Sequence, residues 1–183
     1  MLSPKTSALP STLTDLLLVD TDVATAIYAP LLRETYRVHA AGSWEAALQL
    51  LTRIQPALVI TELGLGGTWG LDLCRHAKAL PVPATVLVTT SDVTRVPDAL
   101  DAGCDAVLLK PFAPNLLHAR IGRLLRGRLT GAGPSSGTNR AWPEMPCPSC
   151  NHEGVICFEF SSHRRAWYAC LKCREVWIGQ RQE

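Results

Sequence analysis

Two sets of side chains in this sequence have the types and spacing to do chemistry. Cys147 and Cys150 form one C-x-x-C pair and Cys170 and Cys173 a second, giving C-x2-C-x19-C-x2-C. Each pair can make a tight turn that presents two thiolates to one ion. Two such turns complete a tetrahedron with no open position, the pattern of a structural Zn2+ site rather than a catalytic one. The second set is spread out: Asp20 and Asp22 in "VDTD", Glu62 in "TEL", Thr89 in "TTS" and Lys110 in "KPF", each following a short apolar run. If those runs are neighbouring parallel strands, acids, a hydroxyl and a lysine converge beyond their carboxyl ends, where open α/β sheets keep their functional groups.

The elements needed to position them can be read from the apolar pattern. Strand-like runs lie at 16–19, 36–40, 57–61, 85–89 and 106–110. Between and after them, apolar residues at helical spacing mark helices over 23–34, 44–54, 69–80, 93–102 and 114–126. Ser43 is placed to cap the second helix, and Gly103 to stop the fourth. Five β-α repeats between Asp15 and Arg128 imply an α/β domain with one parallel sheet and helices on both faces. The unbroken aliphatic runs suit central strands buried on both sides.

After Arg128 the composition shifts. "LTGAGPSSGTNRAWPEMP" is rich in Gly, Ser and Pro and reads as a flexible linker. The reading is therefore a tail at 1–14, an α/β domain at 15–128, a linker at 129–146 and a small unit at 147–183. That last unit is too short for a conventional core and needs a staple, which the cysteines offer. "VICFEF", "AWYAC" and "REVWIG" alternate as three strands should, giving a small all-β zinc ribbon. His152, His163 and Cys157 are read as non-ligands, and Cys74, Cys104 and Cys157 as small buried apolar residues. No run approaches the roughly 18 apolar residues of a membrane span, and the leading segment lacks an apolar core, so a cytoplasmic protein is expected. A formal charge of +2 is too small to make the whole chain a polyanion binder.

"LLLVDTD", "PALVITELGLGGTWGLDLC", "VLVTT", "ALDAGCDAVLLKPF" and "LLHARIGRLLRG", in that order and spacing, resemble the receiver domain of bacterial two-component response regulators. The resemblance covers Asp15 to Arg128 and implies a flavodoxin-like five-stranded fold. It also implies an acidic pair after the first strand that binds Mg2+, an acceptor at Glu62 for phosphate from a histidine kinase, and Thr89 and Lys110 as the sensors of the phosphoryl group. The sequence departs from that pattern at the acceptor itself, which is Glu62 instead of aspartate. Thr21 takes the second acidic position, beside Asp22; Gly66 stands for a proline, and Val107 for the switch aromatic. Glutamate places its oxygen about 1.5 Å further out, into the space of the phosphoryl group. The missing carboxylate argues against Mg2+. Glu62 can instead meet Lys110 as an ion pair that partly imitates phosphorylation. Plain loss of function and residual phosphorylation at an unusual site are the competing readings.

"RRAWYACLKCREVW" resembles the end of the zinc ribbon in transcript-cleavage elongation factors, which carry an acidic pair at the hairpin tip. The tip here, "SSHRRA", has no acid, so cleavage stimulation is not implied. Arg164 and Arg165 beside Trp167 and Tyr168 are candidates for contact with nucleic acid, through phosphates and stacked bases. The last helix of the first domain carries Arg120, Arg123, Arg126 and Arg128, read first as a solvated helix face; the alternative is an interaction surface, since in receivers this face often forms the homodimer. The sequence thus reads as a signalling or transcription regulator and not an enzyme: a receiver making protein contacts, joined to a ribbon that contacts DNA or RNA polymerase. A protein-only adaptor is the alternative.

Overall fold

The computed structural model describes residues 13–129 and 146–180, with 154, 163, 164, 171 and 174 excepted. The first domain runs β1 (Asp15–Val19), α1 (Asp22–Arg33), β2 (Arg37–Ala41), α2 (Trp44–Ile54), β3 (Leu58–Glu62), α3 (Trp69–Lys78), β4 (Thr85–Thr90), α4 (Val96–Asp101), β5 (Ala106–Leu109) and α5 (Pro114–Leu129). All five strands are parallel, in the order β2-β1-β3-β4-β5. This is the flavodoxin-like arrangement, with its topological switch between β1 and β3.

The aliphatic runs separate by residue parity onto the two faces of the sheet, as a period of two requires. Leu17, Val19, Val59, Val86, Val88 and Val107 belong to one apolar cluster, which α2, α3 and α4 complete with Ala47, Leu51, Leu73, Cys74 and Ala99. Leu16, Leu18, Leu58, Ile60, Leu87 and Leu108 belong to the other, closed by Ala29 and Leu32 of α1 and Leu117 and Ile121 of α5. With both faces covered, the polar side chains of the sheet are displaced to its ends, and the carboxyl end is where Asp20, Glu62 and Thr89 lie.

Local signals act as read. The Ser43 hydroxyl accepts the Ala46 N–H at 3.2 Å and caps α2. Gly103 adopts φ +88° immediately beyond α4. The fourth helix differs from its expected span over 93–102: Val93–Arg95 form a 3-10 turn, and the α-helix begins only at Val96. Pro97 explains the break. A helix continuous from Val93 would need a fifth-residue N–H that proline lacks, whereas proline one residue inside a fresh N-terminus costs nothing.

The C-terminal unit is a three-stranded antiparallel sheet, β6 (Val155–Ser162), β7 (Arg165–Cys170) and β8 (Val176–Gln180), in that order. The tail at 1–12 and the linker stretch 130–145 lie outside the described residues. Among the described residues no helix is long and apolar enough to cross a membrane.

One helix-to-sheet contact fixes the ground beneath Glu62. Gly70, in the first turn of α3, is buried so closely that a Cβ there would stand 2.5 Å from the Glu62 carbonyl oxygen and 2.8 Å from the Leu63 Cα. Both neighbours are backbone and neither can swing aside. Gly70→Ala should therefore destabilise the domain by about 1–3 kcal/mol despite alanine's better helix propensity, measured as a lower urea midpoint at unchanged slope.

Candidate functional site

The carboxyl end of the sheet assembles an ion-paired triad. Asp20 follows β1, Glu62 ends β3, and Lys110 follows β5, held there by its N–H donated to the Thr90 carbonyl at 2.8 Å. The Lys110 ammonium donates to both Asp20 oxygens, at 3.0 Å to Oδ1 and 2.8 Å to Oδ2, and also pairs with Glu62 Oε2. The other Glu62 oxygen, Oε1, accepts the Gly64 N–H at 3.0 Å, and Asp20 Oδ1 accepts the Thr21 N–H at 2.7 Å. Every carboxylate oxygen of the pair is engaged. The Asp20 side chain is 1% exposed, that of Glu62 11% and that of Lys110 21%, so the charges sit largely out of water.

Two charges of one sign and one of the other leave a net charge of −1. Burial pushes the lysine pKa down, but hydrogen bonds and Coulomb attraction from Asp20 and Glu62 outweigh it, so the ammonium is held above its ordinary value. It is the cation that makes the two buried carboxylates tolerable.

The remaining expected members divide. Thr89 is buried, and its hydroxyl lies 3.5 Å from both Asp20 Oδ2 and the Thr61 carbonyl, at the edge of the triad. Asp22 is not brought in. It is the exposed first residue of α1, where an acid favours the helix dipole. Thr21 caps that helix, its Oγ1 accepting the Ala24 N–H at 3.3 Å. Among the described residues, the one group of three or more Cys, His, Asp or Glu side chains placed around a common point is the cysteine cluster, not this acidic pair.

The departures in the surrounding loop have structural reasons. Gly66 has φ +50°, which proline cannot adopt, and the Trp69 indole lies 2.4 Å from where a Cβ would be. Val107, in the place of the switch aromatic, is fully buried in the apolar cluster. Arg95, just before α4, donates from Nη1 to the Leu63 carbonyl and from Nη2 to the Gly67 carbonyl, both at 3.3 Å. That clamp on the loop after Glu62 is not visible in the sequence, where Arg95 falls inside the helical segment expected over 93–102 with no partner at a telling spacing.

The second site is the cysteine cluster. Cys147 Sγ lies 3.4 Å from Cys173 Sγ and Cys150 Sγ 3.7 Å from Cys170 Sγ, and all four sulfurs fall within 4.8 Å of one another. Sulfurs about 2.3 Å from a shared tetrahedral ion stand roughly 3.8 Å apart, so the set fits one metal ion. The turns are shaped for it. Asn151, at φ +53°, donates its N–H to the Cys147 carbonyl at 2.8 Å, and the Cys147 N–H returns to the His152 carbonyl at 3.0 Å. At Cys170 burial pushes the thiol up, but the Cys173 and Lys172 backbone N–H groups and the neighbouring thiols bring it down. At Cys173 the Glu175 backbone N–H lowers the thiol, but burial and the contacts with Cys147, Cys150 and Cys170 push it up, so the four sulfurs share their protons as one cluster.

Cys74 and Cys104 behave as apolar filler. Burial pushes the Cys74 thiol up to about 11 and raises that of Cys104 as well. Cys157 lies in β6, where the described structure is backbone only, and His163 lies outside the described residues. Of the candidate nucleic-acid residues, Arg164 also lies outside them, and Arg165 opens β7 with its side chain not described. Tyr168 is 2% exposed and its ring stacks on Trp177 with centroids 5.7 Å apart, so it builds the small core. Trp167 is half-buried against an apolar cluster.

Comparison with known proteins now has geometry to attach to. The family model described as "Response regulator receiver domain" matches residues 16–122. The chain belongs to that family. Receivers are signalling domains, and relatives carry transcriptional names: the receiver here is similar to the transcriptional regulatory protein AfsQ1 of Streptomyces coelicolor, 33% identical over 61% of this chain and 51% of that one. It is equally similar to the DNA-binding response regulator MtrA of Mycobacterium tuberculosis, 33% identical over 61% of this chain and 50% of the other. The chain spans about half the length of these curated relatives. Among solved structures, a BeF3-activated DrrB receiver domain is 25% identical with a TM-score of 0.57, matching 62% of this chain and 98% of that one. A putative response regulator from Chloroflexus aurantiacus is 30% identical with a TM-score of 0.56, over the same shares.

The triad makes a direct prediction for this receiver. Lys110→Met would strand two buried carboxylates and should cost about 3–5 kcal/mol at neutral pH, read from chemical denaturation. Because the lysine pKa is raised in the folded protein, its contribution is complete below the unfolded value of 10.5 and is lost as pH rises through the folded one. The gap between wild type and Lys110→Met should therefore be constant around neutrality and close in strongly alkaline solution.

Proposed function

We propose that this chain is an atypical response regulator in which a permanent Glu62–Lys110–Asp20 triad replaces the phosphorylation cycle, and whose output module is a structural zinc ribbon. The observation that carries the reading is the saturation of the acceptor. Both Glu62 oxygens are engaged, one by the Gly64 N–H and one by Lys110. Phosphoryl transfer needs a carboxylate oxygen in line with phosphorus and a Mg2+ ion held in near-octahedral geometry. The additional methylene of Glu62 displaces the nucleophile, and Thr21 contributes a helix cap where a carboxylate would hold the ion. A lysine that senses a phosphoryl group has here a resident anion, so Glu62 acts as a partial phosphomimic, one negative charge where a phosphoryl group brings about two.

Zinc at Cys147, Cys150, Cys170 and Cys173 supplies folding energy to a unit otherwise too small to hold itself, and with four thiolates it leaves no position for substrate. The chain acts in signal transduction or transcription regulation and is not an enzyme. Its receiver works through contacts with other signalling proteins, a histidine kinase or a second receiver among them, and its ribbon meets DNA or RNA polymerase through the Arg164–Arg165 tip. A protein-only adaptor is the second reading. It is favoured by the burial of Tyr168 against Trp177, which removes one stacking surface from the hairpin.

Two measurements test these statements. Incubation with acetyl phosphate and Mg2+ should leave the intact mass unchanged, whereas the double variant Thr21→Asp, Glu62→Asp should acquire a phosphoryl adduct; a stoichiometric adduct on the wild type refutes the locked triad. In a gel-shift titration the wild type should bind duplex DNA with an affinity that falls with salt, and Arg164→Ala with Arg165→Ala should abolish the shift. Absence of binding by the wild type selects the adaptor.

A further inference from the structure

The ribbon's two faces are both apolar, and only one of them faces the metal cluster. Along β7, Tyr168 and Cys170 point to one side and Trp167 and Ala169 to the other. Register extends each set onto β8: Tyr168 pairs with Trp177, while Ala169 pairs with Val176 and Trp167 with Ile178. The Tyr168–Trp177 stack fills the cysteine side. A sheet of three strands has no second layer of its own to cover the opposite side. Yet Ala169 is fully buried.

What buries it is the first domain. Ala169 belongs to the same contiguous apolar cluster as Val96 and Ala99 of α4, Ala102 just beyond that helix, and Val107 of β5, with Trp167 and Val176 packed at its margin. The backbones of β7 and α4, and of β6 and β5, approach within 8 Å between Cα atoms. The two sheets remain separate. β5 is a sheet edge, four residues long, and such edges are normally paired, covered or charged. α4, at six residues, is far too short to be stable as an isolated helix and depends on what packs against it.

We propose that the ribbon is an intramolecular cap on its own receiver: its Trp167–Ala169–Val176 face docks over α4 and the β5 edge, and the docking is linked to the Glu62 triad. The link is Arg95. It stands immediately before α4 and holds the Leu63 and Gly67 carbonyls of the loop that follows Glu62. Moving α4 with the ribbon displaces the clamp, and the linkage is reciprocal, so loosening the loop weakens docking. Capping also occupies part of the face that a second receiver would use. The proposal rests on the reading of the four cysteines as the metal staple of the ribbon.

Hydrogen exchange on the full-length protein tests it, before and after removal of metal by a chelator, with zinc content measured in both samples. The expected result is about tenfold or greater acceleration of exchange at α4, β5 and the 63–68 loop on metal loss, with β1 and β2 unchanged. Ala169→Glu should produce the same pattern while zinc is retained. Docking is overturned if the chelated protein has lost zinc and its ribbon amides exchange freely while α4 and β5 keep their protection. Protein that carries no zinc as purified refutes the staple instead, and docking is then decided by Ala169→Glu alone, where unchanged protection of α4 overturns it.

Discussion

The rest of this receiver depends on one ammonium held between two buried carboxylates. Without Lys110, Asp20 and Glu62 would be like charges facing each other at the mouth of a sheet whose two faces are already filled with aliphatic side chains. With it, the ends of β1 and β3 and the residue after β5 are drawn to a single point, across the place where strand order reverses. An interaction of this kind contributes less net stability than its Coulomb energy suggests, because both partners give up water. Its larger effect is geometric: it fixes the relative reach of three loops that would otherwise be independent.

Much of this was legible in the sequence. The five aliphatic runs announced a buried parallel sheet because central strands carry apolar residues on both faces, and their alternate residues do divide between two clusters. The charged residues at their ends were legible for the same reason, since a parallel sheet has a single carboxyl end. Asp22 was not separable from Asp20 by such reasoning. One residue of offset turned it from strand end to helix start, where it lies exposed.

The unreadable parts share a physical cause. A helical period ran through Pro97, and only the missing N–H showed that the α-helix must start afresh behind a 3-10 turn. Arg95 did not stand out in the sequence because its acceptors are backbone carbonyls, which leave no trace in a residue pattern. Tyr168 and Trp167 were adjacent aromatics beside two arginines, a composition that suits nucleic-acid contact. Strand alternation instead sends them to opposite faces, one onto Trp177 and the other toward the apolar cluster. Sequence shows that a residue is aromatic; which side of a short strand has something to bury against is decided by the partner.

A second apolar face on the ribbon gives a reason for such a unit to follow a receiver whose switch is, on the proposed reading, fixed. A domain that cycles between states gains from an output module that is held in one state and released in the other. If Glu62 supplies the anion permanently, as proposed, that cycle is given up, and the ribbon's second apolar face needs a permanent cover. The α4–β5 side supplies it, and the short helix α4 is itself steadied in return. On the proposed reading of Glu62 as a built-in anion, signalling is not driven by phosphoryl chemistry at that residue. On that reading it comes from a partner that competes for the same face of α4, or from loss of an ion bound at the four cysteines, and under the proposed linkage either would be felt at the Glu62 loop through Arg95.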